Sequence, residues 1–316
     1  MSDAILVGSR LLQFAGALVL LGASLFYLYG LKAGSLPLPA LQRRQWPQRT
    51  LTIAALAAAV GTVLWVMGET VLFSGELKDA FNVPAVWFVF SETRFGRAAL
   101  WRVGLSLLSL AAPWFIKRLK TLWGVQAALG TLVIATFPWT GHGAVHSGWP
   151  GAIHTAGDLL HLWAAGIWLG ALLPLGILIL NALRSRTSND ARAACHGLDR
   201  FSAIGSVVVV TLTASGLING WFLVGPSNWG ALFTTAYGVA LLIKLVLFAL
   251  MLAVAATNRL RFAPRLRYAL DNNENRDTSA PLQALKTSVV METALAALVL
   301  LAVGVLGTLP PPASGE

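Results

Sequence analysis

Four of the chain's five histidines lie within one short window of an otherwise apolar sequence. They are His142, His146, His154 and His161, and Asp158 stands among them. His154, Asp158 and His161 follow an i, i+4, i+7 spacing, which places them on one face of a helix. Imidazole nitrogens suit copper, zinc, iron or nickel, and a carboxylate adds a harder oxygen ligand. The window therefore predicts a transition-metal site in which Asp158 is either a ligand or an acceptor that orients His161.

Soft ligands are scarce near this window. The single cysteine, Cys195, excludes a disulfide framework, and of the methionines only Met67 is placed to add a thioether. A mixed imidazole site is therefore favoured over a thiolate-lined path for cuprous ion. Simpler interpretations stay open: His146 and His154 as solvated residues, and His142 as a capping or interface residue.

The elements that position these residues must be membrane-spanning helices. The chain has 316 residues, of which 56% are hydrophobic and 11% charged, too few charges for a soluble domain of this length. Crossing a hydrocarbon core takes about 20 apolar residues, and backbone groups in lipid must be satisfied within each segment. We predict an all-α polytopic membrane protein with eight transmembrane helices. The predicted spans are 10–31, 50–72, 95–116, 121–138, 155–181, 201–224, 236–258 and 284–308.

The basic residues predict the orientation of these helices. Most of the 23 Lys and Arg residues lie in the segments that follow spans one, three, five and seven, whereas the loops after spans four and six and the tail "PPPASGE" hold none. By the positive-inside rule both termini face outward, and the histidine window lies on the outer face. The charge of +10 is therefore a topology signal, and we expect no nucleic-acid partner.

Two halves of the chain resemble one another. The stretches "TRFGRAALWRVGL" and "TAYGVALLIKLVL" share T-x-[FY]-G-x-A-x-L-x-[RK] at an offset of 142 residues. Arg102 thus matches Lys244, and at an offset of 148 residues Gln13 matches His161. We therefore expect two parallel four-helix repeats, an arrangement known in transporters.

The expected organisation has four segments and no separate soluble domain. They are a first four-helix half at 1–138, an outer histidine-rich loop at 139–154, a second four-helix half at 155–309 and an outer tail at 310–316. The segment 259–281 is expected to be the longest inner loop.

Several ionisable residues fall inside the predicted spans. A buried charge in a membrane is costly and indicates a functional role by default. Salt bridging to Lys244 or Arg102 is therefore an equal alternative to a metal-binding role for Asp158, and His161 could instead form a simple interhelical hydrogen bond. Glu292 lies inward of the bilayer centre, where it could relay a proton or an ion.

These residues lie within motifs that resemble the copper resistance protein D (CopD) family of bacterial inner-membrane proteins. The resemblance is dense over the last four spans and looser in the first half, at "TRFGRAALWR". The resemblance rests on five stretches: "TGHG", "DLLHLWAAGIWLGALLPL", "RFSAIGSVVVVTLTASGLING", "TTAYGVALLIKLVLFALMLAVAATNRLR" and "ETALAALVLLAVGVLGTLPP".

The resemblance implies a multi-pass protein of copper homeostasis, often served by a small periplasmic copper-binding partner of the CopC type. No fused domain of that type stands in this sequence, so we expect a separate partner chain. His146 and His154 match no motif of the family, and Met67 stands in "VMGETVLFSG", where relatives often show Met-Ser-Gly. The positions that match the family are His142, His161, Asp158, Lys244 and Glu292.

We expect copper, as Cu(I) or Cu(II), to be received at His142 and His161 and passed inward through the interior between the two halves. Two alternatives stay open: an intramembrane redox protein that holds haem between two histidines, and a factor that delivers copper to an oxidase without transporting it. No nucleophile–base pair or phosphate-binding loop appears in the inner segments, so we expect no enzyme beyond such redox activity.

Overall fold

Eight long apolar helices form the structure, a computed structural model that describes residues 2–31, 45–140, 148–271 and 278–315. No strand occurs in those residues, so the predicted all-α polytopic fold is confirmed. The long helices are α1 (Ser2–Gly30), α2 (Trp46–Ser74), α3 (Arg94–Phe115), α4 (Leu119–Ala135), α5 (Gly148–Ser185), α6 (Ser188–Leu223), α7 (Ala236–Thr257) and α8 (Ser279–Leu306). Shorter helices are Val83–Glu92, Ala231–Thr234 and Ala263–Asp271.

The helices α3 and α7 begin in the same way. The Thr93 Oγ1 atom accepts a hydrogen bond from the Gly96 backbone N–H at 2.9 Å, and Thr235 Oγ1 accepts one from Gly238 at 3.0 Å. Each threonine thereby satisfies a helix N–H that has no partner within the helix. Both helices are 22 residues long, and both caps follow the 142-residue offset. The matching caps support the two-repeat interpretation, which stays a prediction.

The helices α5 and α6 are longer than the sequence predicts. Helix α5 begins at Gly148 rather than residue 155, so His154 lies inside the helix rather than at its start. Helix α6 begins at Ser188 rather than 201, because the preceding segment is itself amphipathic and buries Cys195 and Leu198 in the core. Polar residues at the membrane boundary concealed these helical turns from a hydropathy argument.

The segment expected to be the longest inner loop is partly helical. A π-helical turn at Asn258–Phe262 continues α7 into the helix Ala263–Asp271, whose Leu266 is fully buried. Residues 272–277 of that segment lie outside the described residues.

The helices α1 and α5 cross at the centre of the bundle through two glycines. A Cβ added to Gly22 would lie 2.1 Å from the carbonyl oxygen of Gly166. A Cβ added to Gly170 would lie 2.1 Å from the carbonyl oxygen of Leu18. Small residues allow such backbone-to-backbone approach, and close packing is what holds helices together in lipid. This crossing joins the first half of the chain to the second.

The helix α7 lies at the periphery of the bundle, where it packs mainly on α8. Its outward residues Ile243 and Val246 are more than half exposed, as are Val207 and Val210 of α6. Lipid is the solvent for these faces, so their exposure is expected.

The glycine crossing gives a stability prediction. We expect Gly22→Ala to lower the thermal unfolding midpoint of the detergent-purified protein, because overpacking costs about 1–3 kcal/mol. Gly104→Ala is the matched control, since no atom lies within 4 Å of a Cβ added there. Equal unfolding midpoints for the two variants would show that the crossing is not a tight contact.

Candidate functional site

The three spaced residues of α5 all face α6. The ring of His154 is buried and stacks on the Phe222 ring, with centroids 4.9 Å apart and planes 12° from parallel. Asp158 and His161 follow along the same face, opposite residues 219 and 215 of α6. The i, i+4, i+7 spacing thus forms a polar stripe between two helices, running from His154 to His161.

The His161 side chain is held by a neighbouring hydroxyl. Its Nδ1 atom lies 3.1 Å from the Oγ atom of Ser215. Ser215 has one hydroxyl proton, which it donates to the Thr211 carbonyl oxygen at 2.6 Å. This direction of the hydroxyl proton favours the tautomer in which Nδ1–H of His161 donates to Ser215, and in that tautomer Nε2 carries the lone pair. A histidine held in this way presents its second nitrogen to a metal ion.

The Asp158 carboxylate is held by an amide rather than by an ion pair. Its Oδ1 atom accepts a hydrogen bond from Asn219 Nδ2 at 3.4 Å, a long contact. Lys244 of α7 is close enough to act on Asp158 electrostatically. The structure describes Asp158, Lys244 and Arg102, and no ion pair within 4 Å joins Asp158 to either of the two basic residues. Both roles of Asp158, metal ligand and salt-bridge partner, therefore stay predictions.

The Arg102 guanidinium is fully buried among neutral partners. Its Nε and Nη2 atoms donate to the hydroxyl and the carbonyl oxygen of Thr136, at 2.8 and 3.2 Å. Nη2 also donates to Thr140 Oγ1 at 3.1 Å, and Nη1 donates to Gln13 Oε1 at 2.6 Å. The guanidinium carbon lies 3.8 Å from the centroid of the Phe137 ring. Hydrogen bonds and a cation–π contact therefore replace the carboxylate that a buried cation usually requires.

The two halves place matched residues in matched positions. Gln13 of α1 contacts Arg102 of α3, and at the corresponding positions His161 of α5 lies within electrostatic range of Lys244 of α7. Gln13 has no nitrogen lone pair to offer a metal ion, whereas His161 has one. Of this pair, the residue of the second half is therefore the one with a nitrogen lone pair that a metal ion could use.

The remaining predicted ligands do not complete a cluster in the described chain. Met67 is half-buried on α2, next to Gly68, which packs on Leu6 of α1. His142 and His146 lie outside the described residues. Within the described ranges no group of three or more His, Cys, Asp or Glu side chains could hold a metal ion.

The Glu292 carboxylate is buried at the other end of the second half. Its Oε1 atom accepts from the Trp168 indole N–H at 2.7 Å, and its Oε2 atom accepts from Asn258 Nδ2 at 3.1 Å. The three residues line a cavity of about 360 Å³. Reasoning from the sequence missed Trp168 and Asn258, as it missed Ser215 and Asn219 at the outer site. All four lie inside the motifs that carry the family resemblance, and that was the available signal.

Comparison with known proteins gives the family. Residues 195–306 match copper resistance protein D, and residues 1–152 match the copper resistance protein D-like N-terminal domain. The chain is 31% identical over 315 residues to copper resistance protein D of Pseudomonas syringae pv. tomato, covering 98% of each chain. The chain belongs to the copper resistance protein D family.

Two further relatives support the family. The inner membrane protein YebZ of Escherichia coli K12 is 27% identical over 96% of this chain and 98% of its own. The copper transport protein CutJ of Bacillus subtilis 168 is 28% identical over 89% of this chain, which spans 51% of CutJ. No solved structure matches the chain.

The buried Arg102 network gives a prediction for the first half of the family fold. We expect Arg102→Ala to lower the unfolding midpoint clearly, because each buried group left without its hydrogen bond costs about 1–3 kcal/mol. Arg97→Ala is the matched control, since Arg97 lies on the same helix but is exposed. The measurement is thermal unfolding in detergent, and a similar loss in both variants would contradict a structural role for Arg102.

Proposed function

We propose that this protein receives copper at a site on the periplasmic face and passes the ion toward the cytoplasm. It is a multi-pass protein of the inner membrane, and its family and relatives support a copper-related function. The observation that carries the proposal is the contact of His161 Nδ1 with Ser215, which favours the tautomer whose Nε2 lone pair can bind copper. Copper is the cargo in this proposal.

The receiving site is built around two imidazoles, His161 and His142. Neutral imidazole nitrogen is a good ligand for copper, and the contact with Ser215 favours the tautomer of His161 that such binding requires. His146, Asp158 and Met67 are further candidate ligands. His154 is a candidate as well, although it must first leave its stack on Phe222.

The proposed path inward follows the second half of the bundle. The sequence leads us to expect a path through the interior between the two halves, where the backbone contact of α1 and α5 at Gly22 and Gly170 leaves no room for an ion. We therefore place the path among α5, α6, α7 and α8, with Glu292 on its inner side. A separate periplasmic protein of the CopC type is the proposed donor of copper.

Copper binding tests the receiving site directly. We expect the His142→Ala/His161→Ala double variant to lose stoichiometric copper binding, because both proposed imidazole ligands are removed. Binding is measured on the purified protein by metal analysis after dialysis, with Cu(II) and with Cu(I) under reductant. The matched control is His196→Ala, which removes the fifth histidine of the chain, far along α6 from Ser215. If the double variant binds as much copper as the wild type, the site is elsewhere.

Copper uptake into sealed proteoliposomes separates transport from delivery. We expect wild-type protein to accumulate copper above protein-free liposomes, whereas a delivery factor would bind copper without accumulation. Glu292→Gln is expected to slow uptake without changing copper binding at the outer site, because Glu292 lies on the inner side of the path. Glu76→Gln, an exposed carboxylate outside the long helices, is the control. Accumulation at the protein-free level would contradict transport.

A further inference from the structure

The cavity of about 360 Å³ beside Glu292 lies between α6 and α7, two helices that face lipid. Most of its wall is apolar. The apolar wall is made by Trp168, Leu198, Phe201, Val209, Leu252, Ala255 and Ala256. A mostly apolar cavity of this size with a few converging polar groups is the usual form of a small-molecule site.

The oxygen atoms of Glu292 and Asn258 in the cavity wall can accept further hydrogen bonds. Glu292 is 1% exposed, and each of its oxygens accepts one bond although it has capacity for a second. Asn258 is 4% exposed, and its Oδ1 atom has no hydrogen-bond partner among the described residues. A buried amide oxygen without a partner costs about 1–3 kcal/mol, which a bound donor would relieve. An N–H-bearing cation fits this wall.

The exposed rim of the cavity carries a positive charge. Arg259 follows Asn258 in the chain, lines the cavity and is exposed at its rim, where it donates to the Ser206 hydroxyl. Within the described parts of the chain no carboxylate lies within 4 Å of Arg259, and Arg259 and Glu292 are not paired with each other. The cavity therefore offers a carboxyl group and an arginine that do not pair with each other.

The depth of the cavity is that of lipid headgroups. Helix α7 has 22 residues and is about 33 Å long, close to the ~30 Å thickness of the hydrocarbon core. Arg259 follows the end of this helix and lies at the membrane boundary that the basic loops place on the inside. A headgroup at this depth would reach Arg259 while its acyl chain follows the apolar wall.

We propose that this cavity binds phosphatidylethanolamine. The lipid phosphate lies against Arg259, the ammonium donates to Glu292 and to Asn258 Oδ1, and an acyl chain follows the groove between α6 and α7. Phosphatidylcholine has the same charges but no N–H donor, and phosphatidylglycerol has no cation, so neither satisfies both walls. This proposal shares Glu292 with the proposed copper path, but it concerns lipid and is tested without copper.

The test is competition among lipids of identical acyl chains. The detergent-purified protein is incubated with an equimolar mixture of phosphatidylethanolamine, its N-methyl and N,N-dimethyl forms, and phosphatidylcholine, and retained lipid is measured by native mass spectrometry. Charge-assisted hydrogen bonds contribute about 1.5–3 kcal/mol, so we expect roughly tenfold or greater preference for the primary amine over the choline lipid. Equal retention along the series would overturn the proposal.

Variants locate the site. Glu292→Gln and Asn258→Ala are expected to reduce the preference for the primary amine, whereas Arg259→Gln lowers retention of every lipid in the series, because all of them carry the phosphate. Arg261→Gln is the matched control, an exposed arginine in the same π-helical turn. An equal effect of the two arginine variants would reject the site. The methylation series requires no variant, so poor folding of one variant still leaves the proposal open to refutation.

Discussion

The crossing of α1 and α5 at Gly22 and Gly170 is the constraint on which the rest of the bundle depends. Apolar burial does not hold helices together in lipid, so association depends on close packing of small residues. With backbone against backbone, the rotation of each helix is fixed. Helix α1 then presents Gln13 to α3, and α5 presents His161 to α6 and Trp168 to α8. The positions of Gln13, His161 and Trp168 therefore follow from the fixed rotation of α1 and α5.

The aligned residues of the two halves offer different chemistry. In the first half the buried guanidinium of Arg102 donates to hydroxyl, carbonyl and amide oxygens. These oxygens surround a positive charge, which disfavours a metal ion there. In the second half the Nδ1 atom of His161 contacts the hydroxyl of Ser215. The difference between glutamine at position 13 and histidine at position 161 is one reason to propose the metal site in the second half.

The sequence predicts the fold because apolar length and charge asymmetry are strong signals in a membrane protein. It also predicts that His154 and His161 share a face, because helical spacing is a geometric rule. It misses Asn219 and Asn258, because a neutral amide carries no periodic or electrostatic signal. It offers a salt bridge to Arg102 as one alternative for Asp158, whereas the structure surrounds Arg102 with neutral groups. Which neutral groups surround a buried charge is set by tertiary packing, and a single sequence does not encode it in any local pattern.

The separation of Glu292 from Arg259 has a physical cause. Glu292 is buried whereas Arg259 is exposed at the rim, so the two groups differ in environment as well as in charge. Trp168 and Asn258 both donate to Glu292, and Ser206 accepts from Arg259, so direct pairing would break these contacts across four helices. A single ion would pair with either Glu292 or Arg259 and leave the other group without an opposite charge. A ligand that carries both an amine and a phosphate, such as the proposed phospholipid headgroup, would contact both groups.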